Sequence, residues 1–183
     1  MSSGGTAPAD RNLVSGNAGT GVDTLHGSGH VIEGNLIGTD KTGTLPLGNG
    51  GIGVIINSGT NVLGGTSAGS RNVISSNSQG GVTVQSTNSI GSLVQGNYIG
   101  TDVTGTVGLG NGQAGVGVLL NGAPNVTIGG AADGAGNVIA SNGDGGISVL
   151  DREVHRPVRR DLGGEAAVQL ADPGHLGAAE LQR

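Results

Sequence analysis

The sequence predicts an all-β solenoid: a parallel β-helix of about 31 residues per coil, three short strands to each coil, over four coils plus partial ones. Three observations carry that expectation. A long segment recurs at an offset of 62 residues, Asn enters the same strand once in every coil, and 183 residues include 41 Gly but a single aromatic side chain. Average glycine usage is roughly 7%, so the bias is strong. It is not collagen, since Gly does not recur every third position and only five Pro are present. Nor is it the pattern of a charged disordered chain, because 34% of residues are hydrophobic and 11% charged.

Taken in order, residues 1–10 carry neither repeat nor apolar pattern and are expected to be a disordered N-terminal stub. The repeat occupies residues 11–150. Val31-Ile-Glu-Gly-Asn-Leu-Ile-Gly-Thr-Asp40 matches Leu93-Val-Gln-Gly-Asn-Tyr-Ile-Gly-Thr-Asp102, and the likeness runs on to Leu47-Gly-Asn-Gly50 and Leu109-Gly-Asn-Gly112. A second type of unit alternates with it. Asn72-Val-Ile-Ser-Ser-Asn77 with Gly80-Gly-Val-Thr-Val84 matches Asn137-Val-Ile-Ala-Ser-Asn142 with Gly145-Gly-Ile-Ser-Val149, and Arg11–Asn17 is an earlier copy.

Each coil yields three strands. The first set begins at Val31, Val62, Leu93 and Val126. The second holds Leu13-Val14, Leu36-Ile37, Val73-Ile74, Tyr98-Ile99 and Val138-Ile139. The third holds Val22, Val54, Val82, Val116 with Val118, and Ile147. These segments are too short, and too rich in β-branched residues and Gly, for helices. Stacked about 4.8 Å apart, Val14, Ile37, Ile74, Ile99 and Ile139 form one buried column. A cross-section so narrow has no room for rings repeated at that spacing.

Asn12, Asn35, Asn72, Asn97 and Asn137 each precede the second strand. Asn tolerates left-handed backbone and bonds its own chain at turns, and at rung spacing its amide pairs with the next Asn, so the column reads as a structural ladder. Five residues further on lie Asn17, Asp40, Asn77, Asp102 and Asn142, which predicts a second column with Asp alternating into Asx turn positions. Its hard oxygens, from Asp40, Asn77 and Asp102, are the candidate calcium ligands. As a catalytic pair the two Asp fit poorly. Two rungs separate them by about 10 Å, whereas glycosidase carboxyls stand about 5–9.5 Å apart. No catalytic residue is assigned. Arg11 and Arg71 read as solvated turn residues, and His26 and His30, lacking a third ligand, as surface residues.

The alternating Asn-x-Ile-x-Gly-Asn-x-Ile-Gly-Thr-Asp and Arg-Asn-Val-Ile-Ser-x-Asn units resemble the right-handed parallel β-helix repeats of the pectin-lyase-like superfamily, in particular those of large bacterial surface or secreted proteins. The resemblance covers about residues 11–150. It implies a right-handed coil and an extracellular or cell-surface location. The role it implies is a structural or ligand-binding segment, with polysaccharides or surface glycans as partners. The alternative from the same superfamily is a polysaccharide lyase or glycoside hydrolase. Such an enzyme needs clustered acids, a basic residue and aromatic sugar platforms, and Tyr98 is the only ring present.

The net charge of −5, with no basic cluster before residue 152, gives no nucleic-acid footprint. No apolar run approaches the length of a membrane helix, and the first ten residues lack the pattern of a signal peptide. The long loops 39–53 and 101–115 leave one corner two rungs apart and form the candidate interaction surface. Residues 151–183 hold no Asn and are rich in charge. They are a divergent tail, either a degenerate coil with a helical cap or a segment foreign to the repeat. Because the repeat begins mid-coil at Arg11 with no cap, the chain is expected to belong to a longer β-helix, whose further repeats are its partners.

Overall fold

The computed structural model describes residues 1–112 and 115–150, so the divergent tail expected over 151–183 lies outside the described residues. The described residues wind into a right-handed parallel β-helix of five coils. The first coil holds β1 (Ser2–Ser3), β2 (Leu13–Val14) and β3 (Val22–Thr24), and the second β4 (Val31–Ile32), β5 (Leu36–Ile37) and β6 (Ile52–Ile56). In the third are β7 (Val62–Gly64), β8 (Val73–Ile74) and β9 (Gly80–Gln85), and in the fourth β10 (Leu93–Gln95), β11 (Tyr98–Ile99) and β12 (Val116–Asn121). The fifth has β13 (Thr127–Ile128), β14 (Val138–Ile139) and β15 (Gly145–Leu150). Equivalent strands pair in parallel, giving three five-stranded sheets: A from the first strand of every coil, B from the second and C from the third.

The expected N-terminal stub is corrected. Ser2 and Ser3 pair with Val31 and Ile32, and residues 8–10 form a 3-10 turn. A strand of two serines has no apolar signature, but its backbone completes the first coil, and Ser3 O accepts a hydrogen bond from Asn35 Nδ2 at 3.0 Å.

The core is a stack of aliphatic columns. Ile37, Ile74 and Ile99 are fully buried, with Val54, Val82 and Val118 beside them and Leu63 and Val94 opposite. β-branched side chains suit a pleated, buried position.

Polar columns close two corners. At the first, Asn12, Asn35, Asn72 and Asn97 each donate Nδ2–H to Oδ1 of the next Asn, ending at Asn137, over 2.8–3.1 Å. The remaining amide hydrogens reach carbonyls of the coil below, as Asn72 does to Ile32 O and Asn97 to Leu63 O. No buried side-chain nitrogen or oxygen among the described residues lacks a partner, as buried amides require.

The 62-residue period has a structural cause. In the first, third and fifth coils the corner from sheet A to sheet B is long; in the second and fourth it is a tight turn at Gly34-Asn35 or Gly96-Asn97. The long corners pack on one another across the tight ones. Gly34 N–H donates to Ser70 O and Gly96 N–H to Ala135 O, at 3.1 and 3.0 Å. A Cβ on Gly96 would lie 2.0 Å from Gly65 O, at φ +67°. Only glycine fits. Arg11 and Arg71, expected to be solvated, donate Nε–H to Gly34 O and Gly96 O at 3.0 Å and so pin these corners.

Candidate functional site: two stacked hairpins

At the corner from sheet B to sheet C the alternation reverses. The first, third and fifth coils turn quickly, whereas the second and fourth each project a hairpin. In one, Leu47 N–H donates to Gly38 O and Asp40 N–H to Leu45 O; in the other, Leu109 N–H donates to Gly100 O and Asp102 N–H to Val107 O. The matched residues Asp-x-Thr-Gly-Thr make the tip, and its chemistry is the same in both.

The Asp carboxylate organises the tip. Asp40 Oδ1 accepts from Thr44 N–H at 3.1 Å and Leu45 N–H at 3.0 Å, and its carboxylate from the Thr42 hydroxyl at 2.8 Å. Asp102 Oδ1 accepts from the Thr104 hydroxyl at 2.7 Å and from the N–H groups of Thr104, Thr106 and Val107 at 3.2 Å. Donors aimed at a carboxylate favour its ionised form. The Leu45 N–H and the Thr42 hydroxyl hold Asp40 down at about 2. The Thr104 hydroxyl, helped by the Val107 and Thr106 N–H groups, lowers Asp102 in spite of its burial.

The hairpins lie against the outer face of sheet B and against each other. Gly43 O accepts from Val103 N–H at 2.9 Å, across the coil that separates them. A Cβ on Gly43 would meet Val103 Cβ at 2.9 Å and Leu36 Cδ2 at 3.2 Å; one on Gly105 would meet Tyr98 Cζ at 2.8 Å. Leu36, which points outward, is thereby only 2% exposed. Tyr98 also carries the Arg71 guanidinium 4.1 Å from its ring centroid. Outside this contact the hairpins leave Leu45, Leu47 and Val107 exposed, at 62%, 48% and 55%, together with Thr42, Thr44 and Thr106.

The expected second column is corrected here. Its members are Asn17, Asn49, Asn77, Asn111 and Asn142, linked Nδ2 to Oδ1 over 2.8–3.0 Å. Asp40 and Asp102 stand outside it. Each hairpin inserts nine residues, so the ladder Asn falls 14 positions after Asn35 or Asn97 rather than five. The signal was present in the matched Leu-Gly-Asn-Gly segments at 47–50 and 109–112.

The calcium expectation does not fit this arrangement. Asn77 is fully buried, its Oδ1 accepting from Asn49 and its Nδ2 donating to Asn111 Oδ1 and Ile37 O. The two carboxylates face donors of their own hairpins, and a cation would have to displace them. Among the described residues no three His, Asp or Glu side chains gather as a metal site. His26 and His30 sit at the rim of an apolar cavity of about 280 Å³ at the mouth of the first coil, lined by Met1, Val22 and Ile32, with His30 Nε2 2.9 Å from His26 O. No helix among the described residues is long and apolar enough to cross a membrane.

Comparison with protein-family profiles, with curated proteins and with solved structures gives no match to this chain.

Proposed function

We propose that the protein is a rigid β-helical segment of a secreted or surface-displayed protein, and that its stacked hairpins form a ligand-binding surface for extended glycans. The observation that carries this reading is the repetition itself. Two tips of matching Asp-x-Thr-Gly-Thr sequence, each fixed by an ionised Asp, present equivalent Thr hydroxyls two rungs apart, about 10 Å, beside exposed apolar side chains, Leu45 and Leu47 on one and Val107 on the other. A regularly spaced surface suits a regularly repeating polymer. Its Thr hydroxyls, whose protons point to the Asp carboxylates and to each other, offer hydrogen-bond acceptors, and its Leu and Val side chains take the place of the absent rings as apolar contacts.

The enzymatic alternative, a lyase or hydrolase of the pectin-lyase-like type, draws less support. An acid catalyst needs a raised pKa so that it holds a proton near neutrality, and Asp40 and Asp102 are both shifted the other way.

Affinity electrophoresis through gels containing pectin, alginate or other acidic and neutral polysaccharides tests the reading, with release of reducing or unsaturated ends measured in parallel. The expected result is retardation by at least one polymer, reduced about tenfold in the double variant Leu45→Asp/Val107→Asp, with no new chain ends. Both positions are exposed, so the variant retains its fold. Retardation by none of them removes the glycan assignment, and chain cleavage abolished by Asp102→Asn establishes the enzyme instead.

A further inference from the structure

The two hairpin tips have a hydrogen-bond polarity that narrows what they can hold. A threonine hydroxyl carries one proton and two lone pairs, whereas an ionised carboxylate only accepts. In the first tip the Thr42 hydroxyl lies 2.8 Å from both Asp40 oxygens and 2.6 Å from the Thr44 hydroxyl. Asp40 has no proton to give, so Thr42 donates to it and Thr44 donates to Thr42. The second tip repeats the chain: Thr104 donates to Asp102 at 2.7 Å, and Thr106 Oγ1 is 2.6 Å from Thr104 Oγ1. Both carboxylates are held in the ionised form by their own donors. The anion at the base of each tip therefore sets the direction of the whole chain. Every one of these hydroxyl protons is used inside the tip, and the exposed hydroxyls of Thr44 and Thr106 offer lone pairs alone.

The backbone around them is turned inward in the same way. The N–H groups of Thr44 and Leu45 go to the Asp40 carboxylate, and those of Thr104, Thr106 and Val107 to that of Asp102. Gly43 N–H and Gly105 N–H go to Asp40 O and Asp102 O. A surface of acceptors selects a ligand that donates.

Charge acts in the same direction. The Lys and Arg side chains of the described residues are Arg11, Lys41 and Arg71. Arg11 and Arg71 turn Nε–H onto Gly34 O and Gly96 O, and Arg71 lies over the Tyr98 ring. Lys41 stands on the first tip, but Val103 takes its place on the second, so the tips have no cation in common. An acidic chain would set carboxylates, which only accept, against ionised Asp and against hydroxyls whose protons are already committed.

We infer that the hairpin surface selects neutral, hydroxyl-rich polysaccharides over acidic ones, with sugar hydroxyls donating to Oγ1 of Thr44 and Thr106. The inference rests on the glycan reading above and gives it a substrate class. Two rungs, about 10 Å, is close to the length of two sugar units in an extended β-1,4-linked chain. Such a chain, laid along the solenoid axis, presents the same hydroxyl to both tips.

The test compares polymers of related backbone that differ in charge. Affinity electrophoresis of the full chain is run through gels containing hydroxyethylcellulose or carboxymethylcellulose, and glucomannan or polymannuronate. The neutral member of a pair is expected to retard the protein at least tenfold more strongly than the acidic one, and added salt to leave that retardation unchanged. The double variant Thr44→Val/Thr106→Val removes the outer hydroxyls and leaves Thr42 and Thr104 on their Asp partners. It is expected to lose about tenfold in affinity for the neutral polymer, while Thr44→Ser/Thr106→Ser retains it. Circular dichroism checks that both variants keep the fold of the intact chain. Equal retardation within each pair, or stronger retardation by the acidic member, overturns the inference and leaves glycan binding standing. Undiminished binding by the folded Val variant overturns it too, because the hydroxyls are then not the contact. Retardation by none of the four polymers, or by any other polysaccharide, removes the glycan reading and the inference together.

Discussion

At the scale of the residue, one side chain serves two ends. A ladder Asn supplies an acceptor to the coil before it, a donor to the coil after it and a second donor to a strand carbonyl. Asn77 has all of these partners and no exposure, so Asn77→Ala strands the N–H groups of Asn49 in the interior. Buried groups left unpaired cost about 1–3 kcal/mol each. The expected loss is about 3–5 kcal/mol in urea unfolding, against about 1 kcal/mol or less for Asn17→Ala, which is more exposed and lies in the first coil. The Asp tips make a separate prediction, in pH. Asp40 is held at about 2 in the folded hairpin, below its ordinary 3.8. A lowered folded pKa stabilises the ionised, folded form, so that contribution is complete above about pH 4 and is lost as pH falls through 2. The Leu45 amide resonance is expected to titrate with a midpoint near 2, and a midpoint near 3.8 would show that its bond to the carboxylate is not made in solution.

At the scale of the element, the strands are nearly uniform and the corners do the distinguishing. Gly96→Ala tests the tight corner: a Cβ 2.0 Å from Gly65 O, at positive φ, cannot be relieved by moving a side chain. The cost is expected to be about 3 kcal/mol or more, read from the urea midpoint, whereas Gly136→Ala, at the equivalent place in the fifth coil with open space around it, costs under about 1 kcal/mol. This uneven burden also explains what was legible in the sequence. Strands announce themselves by buried β-branched residues, so Ile37, Ile74 and Ile99 were readable directly. The strand Ser2–Ser3 was not, because its contribution is backbone pairing, which leaves no mark on side-chain identity. The second ladder was half readable. Asn17, Asn77 and Asn142 follow their first-ladder partners at a constant five residues, but the hairpins displace Asn49 and Asn111, and a constant offset lands on Asp40 and Asp102 instead. The roles of Arg11 and Arg71 were hidden for a related reason, since the carbonyls they bind belong to glycines 23 and 25 residues away.

At the scale of the whole molecule, the unit of architecture is two coils, although the unit of pairing is one. Every coil offers its neighbours the same three strands in the same register, so strand pairing alone would allow any coil to be removed. The corners forbid it. Deleting residues 62–92, the third coil, would seat the fourth coil on the second. Two tight Gly-Asn corners would become adjacent, and the hairpins at 39–48 and 101–110, which now meet across a quick turn two rungs apart, would have to stack one rung apart. Deleting residues 62–126 removes two coils and twice the core, yet places a long corner on a tight one as in the intact chain and joins Asn61 to Thr127 in the row of sheet A that Val62 and Leu93 occupied. Stability in a solenoid is close to a sum of repeat and interface terms, which by itself makes the shorter protein the weaker one. The alternation reverses that order. The two-coil deletion is expected to keep a single cooperative thermal transition, and the one-coil deletion to unfold at a lower temperature or without cooperativity despite its larger core. Scanning calorimetry of the two variants decides the matter. If the one-coil deletion is the more stable, the long corners and hairpins are passengers on the sheets, and the 62-residue repeat has no structural cause.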